Sequence, residues 1–142
     1  MAIITLLIVN ILIIMISRWF IFQKARRNQL FAIIPFYSDI VEFEIIGLPI
    51  WYTVLYIYFI LSWFIYWLFP SFVEANIDIF YILSFFDYVV LVYYVFIRPG
   101  LLARVFGKPV LFEIGMVALP FIFYPILAFD KSKYLGYHKL TY

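Results

Sequence analysis

The chain is 142 residues long, of which 68% are hydrophobic, 25% aromatic and 13% charged, with ten basic residues against eight acidic ones. A soluble domain is about 45–50% apolar and about 25% charged. The composition therefore excludes a disordered chain, a nucleic-acid-binding tail and an ordinary water-soluble enzyme, and describes an integral membrane protein.

A helix needs about 20 apolar residues to cross about 30 Å of hydrocarbon. The first such run is residues 3–22, with Asn10 near its middle and Arg18 near one end. No basic residue precedes it and no small-x-small cleavage site follows, so it reads as a retained span rather than a signal peptide. A basic connection with Lys24, Arg26 and Arg27 comes next. Residues 29–48 are too short and too charged to span. Gln29–Tyr37 is broken by Pro35, and Ser38–Leu48 sets Asp39, Glu42 and Glu44 among Ile40, Val41, Phe43, Ile45 and Ile46. This segment is expected to lie at the membrane interface.

The second span, 50–69, is uncharged and has Trp51 and Trp67 near its ends, where aromatic belts form. Pro70–Asn76 reads as a short loop with Glu74 and no basic residue. The third span, 77–97, carries Asp87 at its midpoint and is expected to end sharply at Arg98-Pro99-Gly100. Arg104 and Lys108 follow in a second basic connection. The fourth hydrophobic segment, 110–129, contains Pro120 and Pro125. It either crosses fully or breaks at the prolines and turns back, and its tail holds Lys131, Lys133, Lys139 and the sole histidine, His138. The fold class is thus all-α integral membrane, with four hydrophobic segments and a short interfacial one in a single transmembrane domain over residues 1–142.

Lysine and arginine concentrate on the cytoplasmic side of spans. The connections after the first and third spans are therefore expected inside, and the Glu74 loop and the N-terminus outside. With a full fourth crossing, favoured here, the tail is external; with a re-entrant one it is internal.

Four stretches carry a family resemblance: KARRNQLFAIIPFYSD at Lys24–Asp39, IGLPIW at Ile46–Trp51, VFGK at Val105–Lys108 and LPFIFYPILAF at Leu119–Phe129. Together they resemble a family of small bacterial membrane domains of unknown function, which in some bacteria are fused ahead of signal peptidase I. The resemblance covers roughly residues 20–136, and the closing motif is its most specific part. Ser38-Asp39 replaces a more common Asn, and Arg26-Arg27-Asn28 stands where a Gly-Trp pair is common. The resemblance implies the architecture and a multi-pass place in the bacterial cytoplasmic membrane. The fusion implies, by analogy, a role near protein export.

The polar residues inside the spans are the functional candidates. A charged Asp at the bilayer centre costs about 2.5–3.5 kcal/mol. Helical spacing sets Ser84 and Tyr94 on the Asp87 face and Tyr88 beside it. This stripe is either a proton- or ligand-binding site or packing glue. Lys24, Arg26, Arg27, Arg98, Arg104 and Lys108 are expected to contact a partner or anionic lipid headgroups. Glu113 is expected to snorkel or to pair with this basic cluster, and Asn10 to hydrogen-bond across helices. No lysine lies inside a span to activate a serine, and one histidine in a polar tail makes no metal site. No catalytic residue, metal or cofactor is therefore expected. The expected function is a non-enzymatic accessory or interaction subunit of another membrane protein, in export or peptide immunity. Its expected partners are the lipid bilayer and another membrane protein or a second copy, with no nucleic acid. The rival is a small oligomeric transporter or channel subunit using Asp87.

Overall fold

The structure is a computed structural model that describes residues 2–136; His138 and Lys139 fall outside the described residues. The described residues are helical and contain no strand. They divide into two compact units, a larger one of residues 1–48 and 98–142 and a smaller one of residues 49–97.

Three helices are long and apolar enough to cross a membrane: Ile3–Lys24, Ile50–Leu68 and Ile77–Val105. In the larger unit, α1 (Ala2–Lys24) is mostly apolar with no continuous polar face, as a helix in hydrocarbon is, Arg18 being its one charge before the last turn. Lys24 sits in its last turn, where a cation meets the negative end of the helix dipole. A 3₁₀ turn over Gln29–Ala32 starts where the Asn28 side chain accepts a hydrogen bond from the Leu30 N–H. α2 (Tyr37–Ile46) ends at Gly47, whose left-handed φ of 80° lets the Gly47 and Leu48 N–H groups close onto Glu44 and Phe43 carbonyls. α6 (Arg98–Val105), α7 (Val110–Ala118) and α8 (Pro120–Phe129) complete this unit. α8 packs along α1, and α7 packs on both α6 and α8. The core between them includes Ile21, Phe22, Val41, Ile45, Leu102, Met116 and Leu127.

Within the segment read as interfacial, residues 33–37 are exposed while α2 is packed into the unit. α2 packs against α1 and α6, and Val41, Glu42, Phe43, Ile45 and Ile46 are all buried. Its charged residues tolerate this because cations from neighbouring helices meet them, as described below.

The fourth segment is broken into two short helices. The chain leaves helical geometry at Leu119 and re-enters it with Pro120 at the first helical position, where the missing N–H costs nothing. α7 has 9 residues, so at about 1.5 Å per residue it is about 14 Å long, roughly half a hydrocarbon core. α7 and α8 fold back on each other, and Lys108, just before α7, pairs with Asp130, just after α8. Lys24 at the end of α1 pairs with the same Asp130. The tail therefore leaves from the end of the unit where both basic connections lie. The segment is thus a helical hairpin, the broken form that the two prolines allow, rather than one long helix.

The smaller unit holds α3 (Ile50–Leu68), the short α4 (Pro70–Ala75) and α5 (Ile77–Val92), continued by a π-helical turn over Tyr93–Ile97. The expected loop at 70–76 is thus helical, opened by Pro70. Arg98-Pro99-Gly100 does not end the third span, since the helical run continues to Val105. Pro99 follows directly on the π turn over Tyr93–Ile97, a wider helical geometry of the kind that accommodates a proline's missing N–H and ring. Polar contacts join α3 to α5 and its π turn. The Tyr94 hydroxyl donates to the Tyr52 carbonyl at 2.7 Å, the Tyr66 hydroxyl to the Phe80 carbonyl at 3.2 Å, and the Ser62 hydroxyl lies 2.9 Å from Asp87. Tyr56 packs on Tyr94, and Tyr66 packs edge-on to Phe80.

Candidate functional site

Two polar sites lie within apolar surroundings, one in each unit. In the larger unit, α2 presents Asp39 and Glu42, three residues apart and therefore on one helix face. α1 brings Arg18, α6 brings Arg98 and α8 brings Tyr124. Arg18 Nη2 lies 2.8 Å from Asp39 Oδ1 and 3.0 Å from Glu42 Oε2, and Arg18 Nη1 is 3.0 Å from the Ser38 hydroxyl. Arg98 Nη1 donates to the same Asp39 oxygen at 2.5 Å, and its Nε stands 3.9 Å from Glu42 Oε1. The Tyr124 hydroxyl donates to Glu42 Oε1 at 2.9 Å.

The Glu42 side chain is 0% exposed, and Arg18, Arg98 and Asp39 are 13–15% exposed. Two guanidiniums face two carboxylates, so the cluster is neutral. Charges taken out of water are tolerated only when paired and hydrogen-bonded in this way. Its chemical consequence is positional, because four helices converge on one carboxylate pair.

Two smaller clusters surround it. Arg104 Nε lies 2.7 Å from Glu113 Oε1, which is the pairing expected for Glu113 within the basic connection. Asp130 receives the Lys24 ammonium at 2.9 Å, the Lys108 ammonium, and the Ser132 hydroxyl and N–H. Burial pushes the Asp130 carboxyl up, but the hydrogen bonds from Lys108, Ser132 and Lys24 outweigh it and hold the group well below the ordinary carboxylate range. Lys24 also donates to the Leu127 carbonyl at 2.6 Å, satisfying one of the last acceptors of α8.

The six basic residues read as partner or headgroup contacts are therefore mostly engaged within the chain. Lys24 and Lys108 hold Asp130, Arg104 holds Glu113, Arg98 is buried in the central cluster, and Arg27 lies 3.3 Å from the exposed Glu44. Arg26 is exposed, with a left-handed φ of 57°, and makes no ion pair among the described residues. Asn10 donates to Leu6 of its own helix at 2.9 Å rather than across helices.

In the smaller unit, the Asp87 stripe is divided. Ser84 donates to the Tyr81 carbonyl of its own helix at 2.8 Å and is exposed. Tyr88 is 64% exposed. Tyr94 is buried against α3 through its bond to Tyr52. None of the three reaches Asp87 through a described hydrogen bond. Asp87 lies against α3, where the Ser62 hydroxyl is 2.9 Å from its Oδ1 and the Tyr58 hydroxyl is a second uncharged neighbour. Sequence spacing within one helix could not reveal Ser62, because the contact is between helices 25 residues apart in the chain. Arg18, Asp39, Glu42 and Tyr124 were likewise missed as one site. The available signal was that Arg18, Asp39 and Glu42 all stand in apolar stretches, where each needs a countercharge.

Among the described residues no group of three or more His, Cys, Asp or Glu side chains is arranged to hold a metal ion. Neither the curated proteins nor the solved structures give a match to the chain. A family model described as a family of unknown function, DUF5684, matches residues 30–137, which take in α2 to α8 and the central cluster except Arg18. With most of its length covered by that match, the chain belongs to the DUF5684 family of unknown function.

Proposed function

We propose that the chain is a non-enzymatic accessory subunit of the bacterial cytoplasmic membrane that assembles with another membrane protein. The observation that carries this reading is Asp87. It is an ionisable group about 15 Å along α5 from Ile77, at mid-hydrocarbon depth, and it is only half buried within its own unit. A carboxyl group there is costly unless it faces a bundle interior or a partner, and association supplies the missing cover. The resemblance to domains fused ahead of signal peptidase I supports a place near protein export or peptide immunity.

The proposed topology follows the ion pairs of Asp130. Three long helices cross, the α7–α8 hairpin re-enters, the N-terminus is external and the tail is cytoplasmic. All the basic connections, with Lys131 and Lys133, then lie inside, and Glu74 and Asp78 outside, as the positive-inside rule requires.

Purification of the tagged chain from bacterial membranes in mild detergent tests the function. A stoichiometric membrane protein is expected to co-purify; a lone monomer in native mass spectrometry overturns the reading. The chain has no cysteine, so a Ser132→Cys variant reports the topology. Labelling only after the inner face is opened is expected, and labelling of intact cells refutes a cytoplasmic tail. The rival reading, a transporter or channel subunit, draws on the same Asp87 and requires an ion flux in vesicles that Asp87→Asn abolishes.

A further inference from the structure

We propose that the partner met at Asp87 is a transmembrane helix carrying a lysine or arginine at mid-membrane depth. This rests on the accessory-subunit reading and names the chemistry of its partner.

Charge balance is the first ground. Residues 49–97 contain Glu74, Asp78 and Asp87 and no lysine, arginine or histidine. Among the described residues Asp87 makes no ion pair, whereas Asp39, Glu42, Glu113 and Asp130 each meet a guanidinium or an ammonium. The larger unit thus shows how this chain accommodates a buried carboxylate, and the smaller unit lacks the means.

Hydrogen-bond supply is the second. Ser62 Oγ lies 2.9 Å from the Phe59 carbonyl and 2.9 Å from Asp87 Oδ1. A serine hydroxyl has one proton, so it serves one of these acceptors at a time. Asp87 is left with this shared donor and the neighbouring Tyr58 hydroxyl, both uncharged, where a carboxylate accepts several bonds and gains most from charged donors. A lysine ammonium brings three donors and a guanidinium five, each with the opposite charge.

The other candidate occupants fit less well. A second copy of the chain presents a second Asp87, so the pair must share a proton before the two carboxyls can meet, and it brings no cation. A lipid amine is held at headgroup level, about half a bilayer away. A helix with a cation at matching depth supplies both the charge and the donors, and buries its own costly group in doing so.

The test uses the full chain labelled with a donor dye at Ser132→Cys, in phosphatidylethanolamine–phosphatidylglycerol vesicles. Acceptor-labelled poly-leucine helices carry lysine, arginine, leucine or aspartate at the centre. The lysine and arginine helices are expected to associate about tenfold more tightly than the leucine helix, equivalent to about 1.4 kcal/mol. Asp87→Asn is expected to bring them down to the leucine level, Asp87→Glu to retain the preference, and Asp87→Lys to move it to the aspartate helix. Helical circular dichroism of each variant separates loss of preference from loss of fold, and Ser84→Ala serves as the silent control.

Equal binding of the lysine and leucine helices to the wild type overturns the inference while leaving an interaction subunit in place, as does a lysine preference that survives Asp87→Asn. Asp87-dependent energy transfer between two labelled populations of the chain overturns it in favour of a second copy. No association with any helix or with itself overturns both the inference and the reading beneath it.

Discussion

The two units handle buried charge in opposite ways. In the larger one, Asp39 and Glu42 lie within 2.5–3.0 Å of guanidinium nitrogens contributed by helices distant in the chain, and Tyr124 completes the set. In the smaller one, Asp87 has a serine hydroxyl that is shared with a backbone carbonyl. Apolar burial does not drive helices together in lipid, because the lipid tails are as apolar as the side chains. Polar contacts and close packing therefore decide which helix pairs are fixed. The larger unit has a polar network in which each carboxylate meets a cation; the smaller joins its helices through uncharged hydroxyl contacts and holds one carboxylate with no cation among the described residues. The first arrangement is structural, and the second is suited to assembly.

Substitutions can break or sharpen this contrast. The largest effect is expected from Glu42→Gln, which leaves two buried guanidiniums facing one carboxylate. Removing one member of a buried charge network costs about 3–5 kcal/mol. The thermal midpoint in detergent should fall steeply, and an unchanged midpoint would mean that the cluster does not hold the helices. Tyr124→Phe removes one hydrogen bond to a charged acceptor and should cost about 1.5–3 kcal/mol by denaturant titration. A loss as large as that of Glu42→Gln would show that the hydroxyl, not the charge pair, is the centre of the site.

Asp130 gives a pH signature. Its carboxyl is held below the ordinary range in the folded chain, so its contribution is fully present above the unfolded value of about 3.9 and is lost as the pH falls from there through the folded value. A thermal midpoint that is level at neutral pH and drops below about pH 4 is expected, with a shallower drop in Asp130→Asn. Identical acid profiles for the two proteins would remove Asp130 from the account. The smallest effect belongs to the smaller unit. Asp87→Asn should change the stability of the isolated chain by about 0.6 kcal/mol, the mean for a hydrogen bond between transmembrane helices, while changing association far more. A large stability loss there would make Asp87 a structural residue like Glu42 and erase the contrast.

The long helices were legible in the sequence because a span is a local property: enough consecutive apolar residues satisfy the backbone internally and cover the hydrocarbon thickness. Spans at 3–22 and 50–69 agree closely with α1 and α3 for that reason. Their limits were less legible at Pro99, where a π turn lets a proline sit inside a continuing helix. Asp87 was legible as an expensive residue because its cost depends on depth alone, but Ser62 was not, because nothing in α5 specifies which face of α3 it meets.

Composition, spacing and charge order thus determined a membrane protein built on long apolar helices, with one carboxylate, Asp87, inside the third of them, each set by the chemistry of a single segment. Only the tertiary structure decided that the fourth segment folds into a hairpin ending at Asp130, that one face of α2 is packed into the larger unit, and that Arg18, Asp39, Glu42, Arg98 and Tyr124 meet. Those outcomes depend on which distant charges find one another, and pairing between helices leaves no periodic trace in the chain that carries it.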